Sequence, residues 1–357
     1  MPLLSVLDQS PIKSGGTAVE AICETLELAR IADHLGYHRY WLAEHHSTRG
    51  LAGSTPEVLI GQIAAHTEGI RVGSGGVMLS HYSPLKVAEN FRMLEILFPG
   101  RIDLGIGRAP GSDQRTARVL GQDHSAHDVD LFPEKVADLL GFLHDSFEAG
   151  HPMAGIHAMP DGPGAPELWL LGSSDHSAAL AAHFGTAFAF AHFINSQHFA
   201  EIVNAYVKRF RPSPRLAAPR ASLAVFVVCA ETEDEASRLA RSRDLFVLWL
   251  RTGRSGPYPS VEEAEDYAYT ERELAIVHHN RERVIVGSSE QVRDRLLELG
   301  GQCGVDEFVI LTITHDFKAR VRSYELLAQA FGLKPSTLLK KAHLRRWRSR
   351  AALQRTD

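Results

Sequence analysis

Residues 71–111 read RVGSGGVMLSHYSPLKVAENFRMLEILFPGRIDLGIGRAPG, and this stretch decides the fold. Together with Ile70, the segment up to Val77 is a short glycine-rich apolar run of strand length. Pro84 then opens a segment with Val87, Phe91, Leu94 and Leu97 at helical spacing, which reads as core packing. Proline suits a first helical turn, and Pro99-Gly100 supplies the stop. Ile102–Ile106 is a second apolar run. Strand, helix, strand is a βαβ unit, the connection that parallel strands require.

The same alternation extends in both directions. On the N-terminal side, Leu3–Leu7 is a strand. Thr17-Ala-Val-Glu20 is a capping box, in which the hydroxyl and the carboxylate satisfy free backbone N–H groups. Val19, Ile22, Cys23 and Leu26 follow at helical spacing, Gly36 provides a left-handed stop, and Arg39–Ala43 is the next strand. On the C-terminal side, strands are expected at Glu167–Leu171, Ala187–Phe190, Leu223–Val228 and Glu307–Ile313. Helices are expected near Pro133–Glu148, Ser174–Phe184, Ser196–Phe210, Glu233–Leu250 and Lys318–Phe331.

Eight strands separated by helices predict an α/β fold with a parallel sheet, and eight strands close naturally into a single (β/α)8 TIM barrel over residues 1–333. A doubly wound open sheet is the alternative, since alternation alone does not distinguish the two. The strands are rich in Val, Ile, Leu and Phe, as strands covered on both faces are. The polar stretch Arg251–Val286 is read as a loop insertion between strands 7 and 8, and insertions of this kind often act as lids. Within it, Val284–Ser288 suits a short extra strand leading into a helix Gln291–Leu299. The basic tail 334–357, with Lys340, Lys341, Arg345, Arg346, Arg348 and Arg350, is set outside the fold as a solvated or frayed end.

A length of 357 residues fits one barrel with insertions. The net charge of −5 gives no reason to expect nucleic acid as a partner. The three cysteines, Cys23, Cys229 and Cys303, have neither metal-type spacing nor the pattern of a disulfide framework. No apolar run approaches the ~18 residues that cross a bilayer, and the N-terminus lacks a signal-peptide pattern, so a cytoplasmic location with no membrane partner is expected.

Barrel enzymes place their chemistry at the C-terminal ends of the strands. After the second strand comes Glu44-His45-His46-Ser47. Imidazoles at a strand end suit acid–base work, although a polar loop would look the same. Neighbours along a strand point to opposite faces, which disfavours a shared metal ion. Gly73-Ser74-Gly75-Gly76-Val77 lets the backbone approach a flat ligand, or marks a bulge. Leu104–Gly111 lacks the spacing of a dinucleotide fingerprint, but it places Arg108 on a glycine-rich strand end as a phosphate clamp or a surface turn residue. Gly172-Ser173-Ser174-Asp175-His176-Ser177 opens a helix whose N–H groups and hydroxyls suit a phosphate; the plain alternative is a helix cap.

Taken together, LGYHRYWLAEHHS at 35–47, residues 71–111 and LGSSDHSAALAAHFG at 171–185 resemble the luciferase-like flavin monooxygenase family. VIVGSSEQVRDRLLELG at 284–300 and DEFVILTI at 306–313 fit the same pattern, so the resemblance covers nearly the whole chain apart from the tail. It implies a barrel that holds FMN, or a deazaflavin in some branches, at its C-terminal mouth. His45 matches the family histidine near the reactive flavin carbon. Gly75 and Gly76 match a pair joined by a non-prolyl cis peptide beneath the isoalloxazine ring. Arg108, Ser174 and Ser177 match the phosphate-binding set, with Ser173 beside them in the same turn. Gly107 stands where luciferases proper carry cysteine, and Ser173 where light-emitting members carry an acidic residue, so light emission is not expected.

The resemblance further implies a two-component monooxygenase, to which a separate NAD(P)H:flavin reductase supplies reduced FMN for oxygen insertion into a small-molecule substrate, with the 251–285 insertion closing over the flavin. A homodimer is expected. Hydride transfer with a deazaflavin, and a non-catalytic flavin-binding subunit, are the rival readings.

Overall fold

Closure of the sheet is decided by a single extra pairing. In the structure, a computed structural model that describes residues 2–109, 111, 113–121 and 131–335, the strands are β1 (Leu3–Asp8), β2 (Arg39–Leu42), β3 (Arg71–Met78), β4 (Ile102–Gly107), β5 (Glu167–Gly172), β6 (Ala187–Ala191), β7 (Ala221–Ala230), β8 (Val284–Ser288) and β9 (Glu307–Leu311). β1 to β6 pair in sequence order, β1 also pairs with β9, and β9 pairs with β7. The β6–β7 pairing, with Phe188 opposite Ala221, closes the ring, and every pairing is parallel. The eight-stranded barrel is therefore the observed fold, and the open sheet is not.

The expected extra strand Val284–Ser288 is β8, which lies outside the ring. β7 is long enough to serve two sets of partners along its length. Residues near its start pair with β6 and β9, Phe226 pairs with both β9 and β8, and Val227–Ala230 run on to pair with β8 alone. The helix Glu233–Arg251 packs against β7, β8 and the helices Val261–Asp266 and Glu271–Arg281, whereas Ser289–Cys303 packs against its ring neighbours Phe199–Arg209 and Phe317–Ala330. The ring helix that follows β7 is thus Ser289–Cys303. The insertion is larger than expected, running over 231–283 and including the helix assigned above to the ring.

The insertion is anchored at the C-terminal end of the barrel. Tyr258 N donates to Ile12 O at 2.7 Å, Ser14 N donates to Tyr258 O at 2.7 Å, and the buried Tyr258 hydroxyl reaches Ile313 O. These contacts pin the 251–259 stretch between the chain after β1 and the chain after β9.

Local signals account for the wall. Thr17 caps the helix Ala18–Leu35 in a complete capping box with Glu20, and Gly36 ends it at φ 87°. A side-chain cap of this kind contributes about 1 kcal/mol, so Thr17→Ala is expected to lower unfolding stability by about that amount in a urea titration. A helix not anticipated from the sequence, Pro56–His66, joins β2 to β3. In Pro84–Leu97, Val87, Phe91 and Leu94 are buried as periodicity predicts, but Leu97 is exposed. The basic tail lies outside the described residues from 336 onward.

The lumen is filled by Leu7, Trp41, Trp169, Ala189, Phe226, Val309 and Leu311. Its N-terminal end is plugged by Arg39, which bonds Asp103 at 2.8 Å, Glu307 at 2.7 Å and Glu167 at 3.0 Å beneath the Trp169 ring. A sealed N-terminal end leaves the opposite mouth for ligands. Among the described residues no helix is long and apolar enough to cross a membrane.

Candidate active site

The strand-end loops after β2, β3 and β4 are tied into one rim. Glu44, at the end of β2, is buried, and its two carboxylate oxygens hold different loops. One sits 2.6 Å from His46 Nε2 and accepts from the Tyr82 hydroxyl at 2.7 Å; the other accepts from Met78 N at 3.0 Å. His46 N donates to Gly111 O, and Ser80 Oγ donates to the Arg108 carbonyl at 3.1 Å. Glu44, Met78 and Tyr82 do not stand out in the sequence. Only the position of Glu44 beside the histidine pair hints at its role.

The two histidines point to different neighbours, as residues adjacent at a strand end do. His46 belongs to the Glu44–Tyr82 cluster. His45 is half-buried, its buried Nδ1 lacks a hydrogen-bond partner among the described residues, and its backbone N–H donates to Gly53 O. Burial, assisted by neighbouring His46, lowers its pKa from 6.5 to about 4, so it is a neutral imidazole at neutral pH. Among the described residues no group of three or more His, Cys, Asp and Glu is arranged to hold a metal ion.

On β3 the Gly75–Gly76 peptide is cis. Gly75 pairs with Gly105 and Val77 with Ile106, so Gly76 is the extra residue of a bulge. A side chain at Gly76 would strike Leu171 and the Gly105 carbonyl, so this close approach of strands demands glycine.

Arg108 and the serines sit at the ends of adjacent strands, because Gly107 of β4 lies opposite Leu171 of β5. Arg108 is exposed, and among the described residues no carboxylate pairs with it. Ser174 is the N-cap of the helix Asp175–Phe184 and forms a capping box with Ser177, whose hydroxyl also donates to Ser174 O at 2.7 Å. The helix-cap reading and the anion reading share these hydroxyls, since both exploit free N–H groups at a helix start. Asp175 is exposed and accepts from His176 N. Ser173 contributes its carbonyl to Asn195 Nδ2 at 3.1 Å, which ties this turn to the chain after β6. The structure therefore gathers Arg108, Ser173, Ser174 and Ser177 on one side of the mouth. Gly75 and Gly76 stand on the neighbouring strand β3, and His45 follows β2, one strand further round.

Comparison with known proteins follows from this geometry. A family model described as luciferase-like monooxygenase matches residues 3–307. A protein of Escherichia coli (strain K12) named luciferase-like monooxygenase is 40% identical over 322 residues, spanning 90% of this chain and 95% of that protein. N-acetyl-S-alkylcysteine monooxygenase of Bacillus subtilis (strain 168) is 39% identical over 329 residues, spanning 92% of this chain and 97% of that protein. The crystal structure of apo-MsnO8 superposes with a TM-score of 0.85 at 41% identity, covering 94% of this chain and 100% of that one.

Proposed function

Because the chain belongs to the luciferase-like monooxygenase family, we propose that it is the FMN-dependent oxygenase component of a two-component monooxygenase acting on a small organic substrate. The observation that carries this reading is the exposed Arg108, without a carboxylate partner among the described residues, beside the Ser174–Ser177 helix start. It shares its rim with a half-buried neutral histidine.

The donor set fits FMN. A phosphate dianion suits a guanidinium flanked by hydroxyls and free helix N–H groups. Gly75 and Gly76 leave the β3 backbone bare for a flat ring, and the unpartnered Nδ1 of His45 offers a polar contact in an otherwise dry place. Bound in its reduced form, FMN would supply the two electrons that activate oxygen, with one oxygen atom entering the substrate and the other leaving as water.

The protein's own part is to position and to exclude. Arg108, Ser174 and Ser177 hold the phosphate end, and Ser173 fixes the turn. The Glu44–His46–Tyr82 cluster holds the rim in register. His45, as a neutral imidazole, can accept a proton at Nδ1 or hold a hydrogen bond to the reacting atoms. The insertion anchored through Tyr258 keeps water from the mouth. A separate NAD(P)H:flavin reductase supplies the reduced cofactor. Exposed Val58, Met93, Ile96 and Leu97 on the outer helices suit a homodimer contact.

The test is a titration with FMN and with the deazaflavin, each oxidised and anaerobically reduced, followed by oxygen uptake on admitting air. The expected result is preferential binding of reduced FMN with oxygen uptake. Preference for the deazaflavin, without oxygen uptake, would overturn the reading in favour of hydride transfer.

A further inference from the structure

One buried cation in the mouth is only partly matched by the fold. Arg243 lies on the helix Glu233–Arg251, within the insertion, and is 5% exposed. That helix reaches the ligand end: its Phe246 abuts Gly50, in the loop after β2, and packs at a tilt against Tyr258. The Arg243 guanidinium carbon lies 4.7 Å from the centre of the Phe226 ring, which belongs to the cluster filling the lumen. Its Nε and Nη1 are buried and have no hydrogen-bond partner among the described residues.

Other buried arginines have a carboxylate within hydrogen-bond distance, although Arg92 Nε and Arg320 Nη1 also lack a partner among the described residues. Arg39 is held by three carboxylates, and Arg320 by Asp8 and the Thr312 carbonyl, both at 2.7 Å. For Arg243 the neighbouring carboxylate is Asp244, whose Oδ1 is 3.6 Å from Nη1, beyond hydrogen-bond distance. The other oxygen of Asp244 is taken by Arg281 Nε at 2.5 Å. Two guanidinium groups therefore share one carboxylate. Burial lowers the pKa of Arg243, but a guanidinium stays protonated at neutral pH. A buried charge that shares its one carboxylate with a second guanidinium is only partly compensated, and an anion entering the site would relieve it.

We propose that Arg243 anchors a carboxylate of the substrate, so that the enzyme acts on small organic acids; this rests on the flavin site proposed above. The anion is not the cofactor phosphate. Arg108 and the serines follow β4 and β5, whereas Arg243 stands over β7, on the far side of β6 from them. The Phe226 ring lies beside the cation, and an apolar group next to one charged group is the usual make-up of a small-molecule site.

The experiment is calorimetric titration of the full chain with three acids and their methyl esters: N-acetylmethionine, hexanoate and benzoate. FMN is titrated separately. The expected result is that at least one acid binds about tenfold or more tighter than its own ester, as a charge-assisted contact implies. Arg243→Gln should reduce that preference to about twofold or less, keep the FMN affinity, and leave Tm unchanged or raised, because a buried charge without a hydrogen-bonded carboxylate is removed.

The proposal is overturned if no acid outbinds its ester, or if Arg243→Gln keeps the preference. It is equally overturned if that variant loses FMN binding, which would give the anion to the cofactor, or if its Tm falls, which would make the guanidinium a structural element. Failure of the wild type to bind FMN sinks the flavin reading instead, and it is read from a separate titration.

Discussion

Arg108→Ala weakens FMN binding by roughly 100-fold while riboflavin binding changes by about twofold or less; this is the expected outcome if the phosphate rests on that side chain. Hydrogen bonds to charged groups contribute about 1.5–3 kcal/mol, and a guanidinium can present two of them to one phosphate. Arg108 is exposed, so solvent takes part of that energy and the effect shrinks at high salt. Riboflavin has the same ring and no phosphate, which makes it the internal control. Fluorescence titration of both flavins at low and high ionic strength reads the result. An equal loss for both would mean that Arg108 shapes the rim through its backbone, where Ser80 already bonds its carbonyl, and would remove it from the phosphate site.

Ser174→Ala is a less clean probe. Its hydroxyl also accepts from Ser177 N in the capping box, so its removal disturbs the helix start even without a ligand. The order of these two variants follows from the geometry. An exposed arginine with no carboxylate partner among the described residues is free to be spent on a ligand, whereas a capping serine already has structural work.

The barrel was legible because its signal is repeated. The strands are apolar runs, and several connections carry a cap or stop, such as Thr17 and Gly36, whose chemistry is local. The insertion boundary was misplaced for an equally physical reason. Glu233–Arg251 has a capped start at Thr232 and apolar residues at helical spacing, which is how a ring helix looks. What sets it apart is the extra length of β7, and a long strand paired to two partners in succession leaves no mark in periodicity. Pro56–His66 was not anticipated although Thr55 and Pro56 stand at its start, and Thr67 rather than glycine stands at its end.

The site divides along the same line. Arg108, the serines and the glycines lie at strand ends, where position alone makes them candidates. Tyr82 and Arg243 become meaningful only through partners distant in sequence: Glu44 for the first, Phe226 and Tyr258 for the second. Within its helix Arg243 stands in RLARSRDLF, which reads as an ordinary charged face.

Acidification is expected to destabilise the protein between pH 6.5 and about 4, and His45 is expected to account for a measurable part of it. Its pKa is about 4 in the folded chain against the ordinary histidine value of 6.5, with burial the main cause and the His46 charge the second. Between those values the unfolded chain binds a proton that the folded chain refuses, so stability rises with pH. The contribution is complete above pH 6.5 and is lost as pH falls through that window. From the linkage relation, the loss between pH 7 and pH 5 is roughly 2 kcal/mol for this one group. His38, His144 and His192 are lowered in the same direction, chiefly by burial, and steepen the whole curve. Carboxylates raised by burial, such as Glu57 and Glu307, act in the opposite sense. The difference between wild type and His45→Asn isolates the single histidine from these neighbours. Urea unfolding of both proteins at pH 7 and pH 5 should therefore show a smaller pH dependence in the variant, by roughly 2 kcal/mol. Equal dependence in the two proteins would mean that His45 is charged or solvated in the folded state, and the neutral imidazole assigned to the mouth would have to be abandoned.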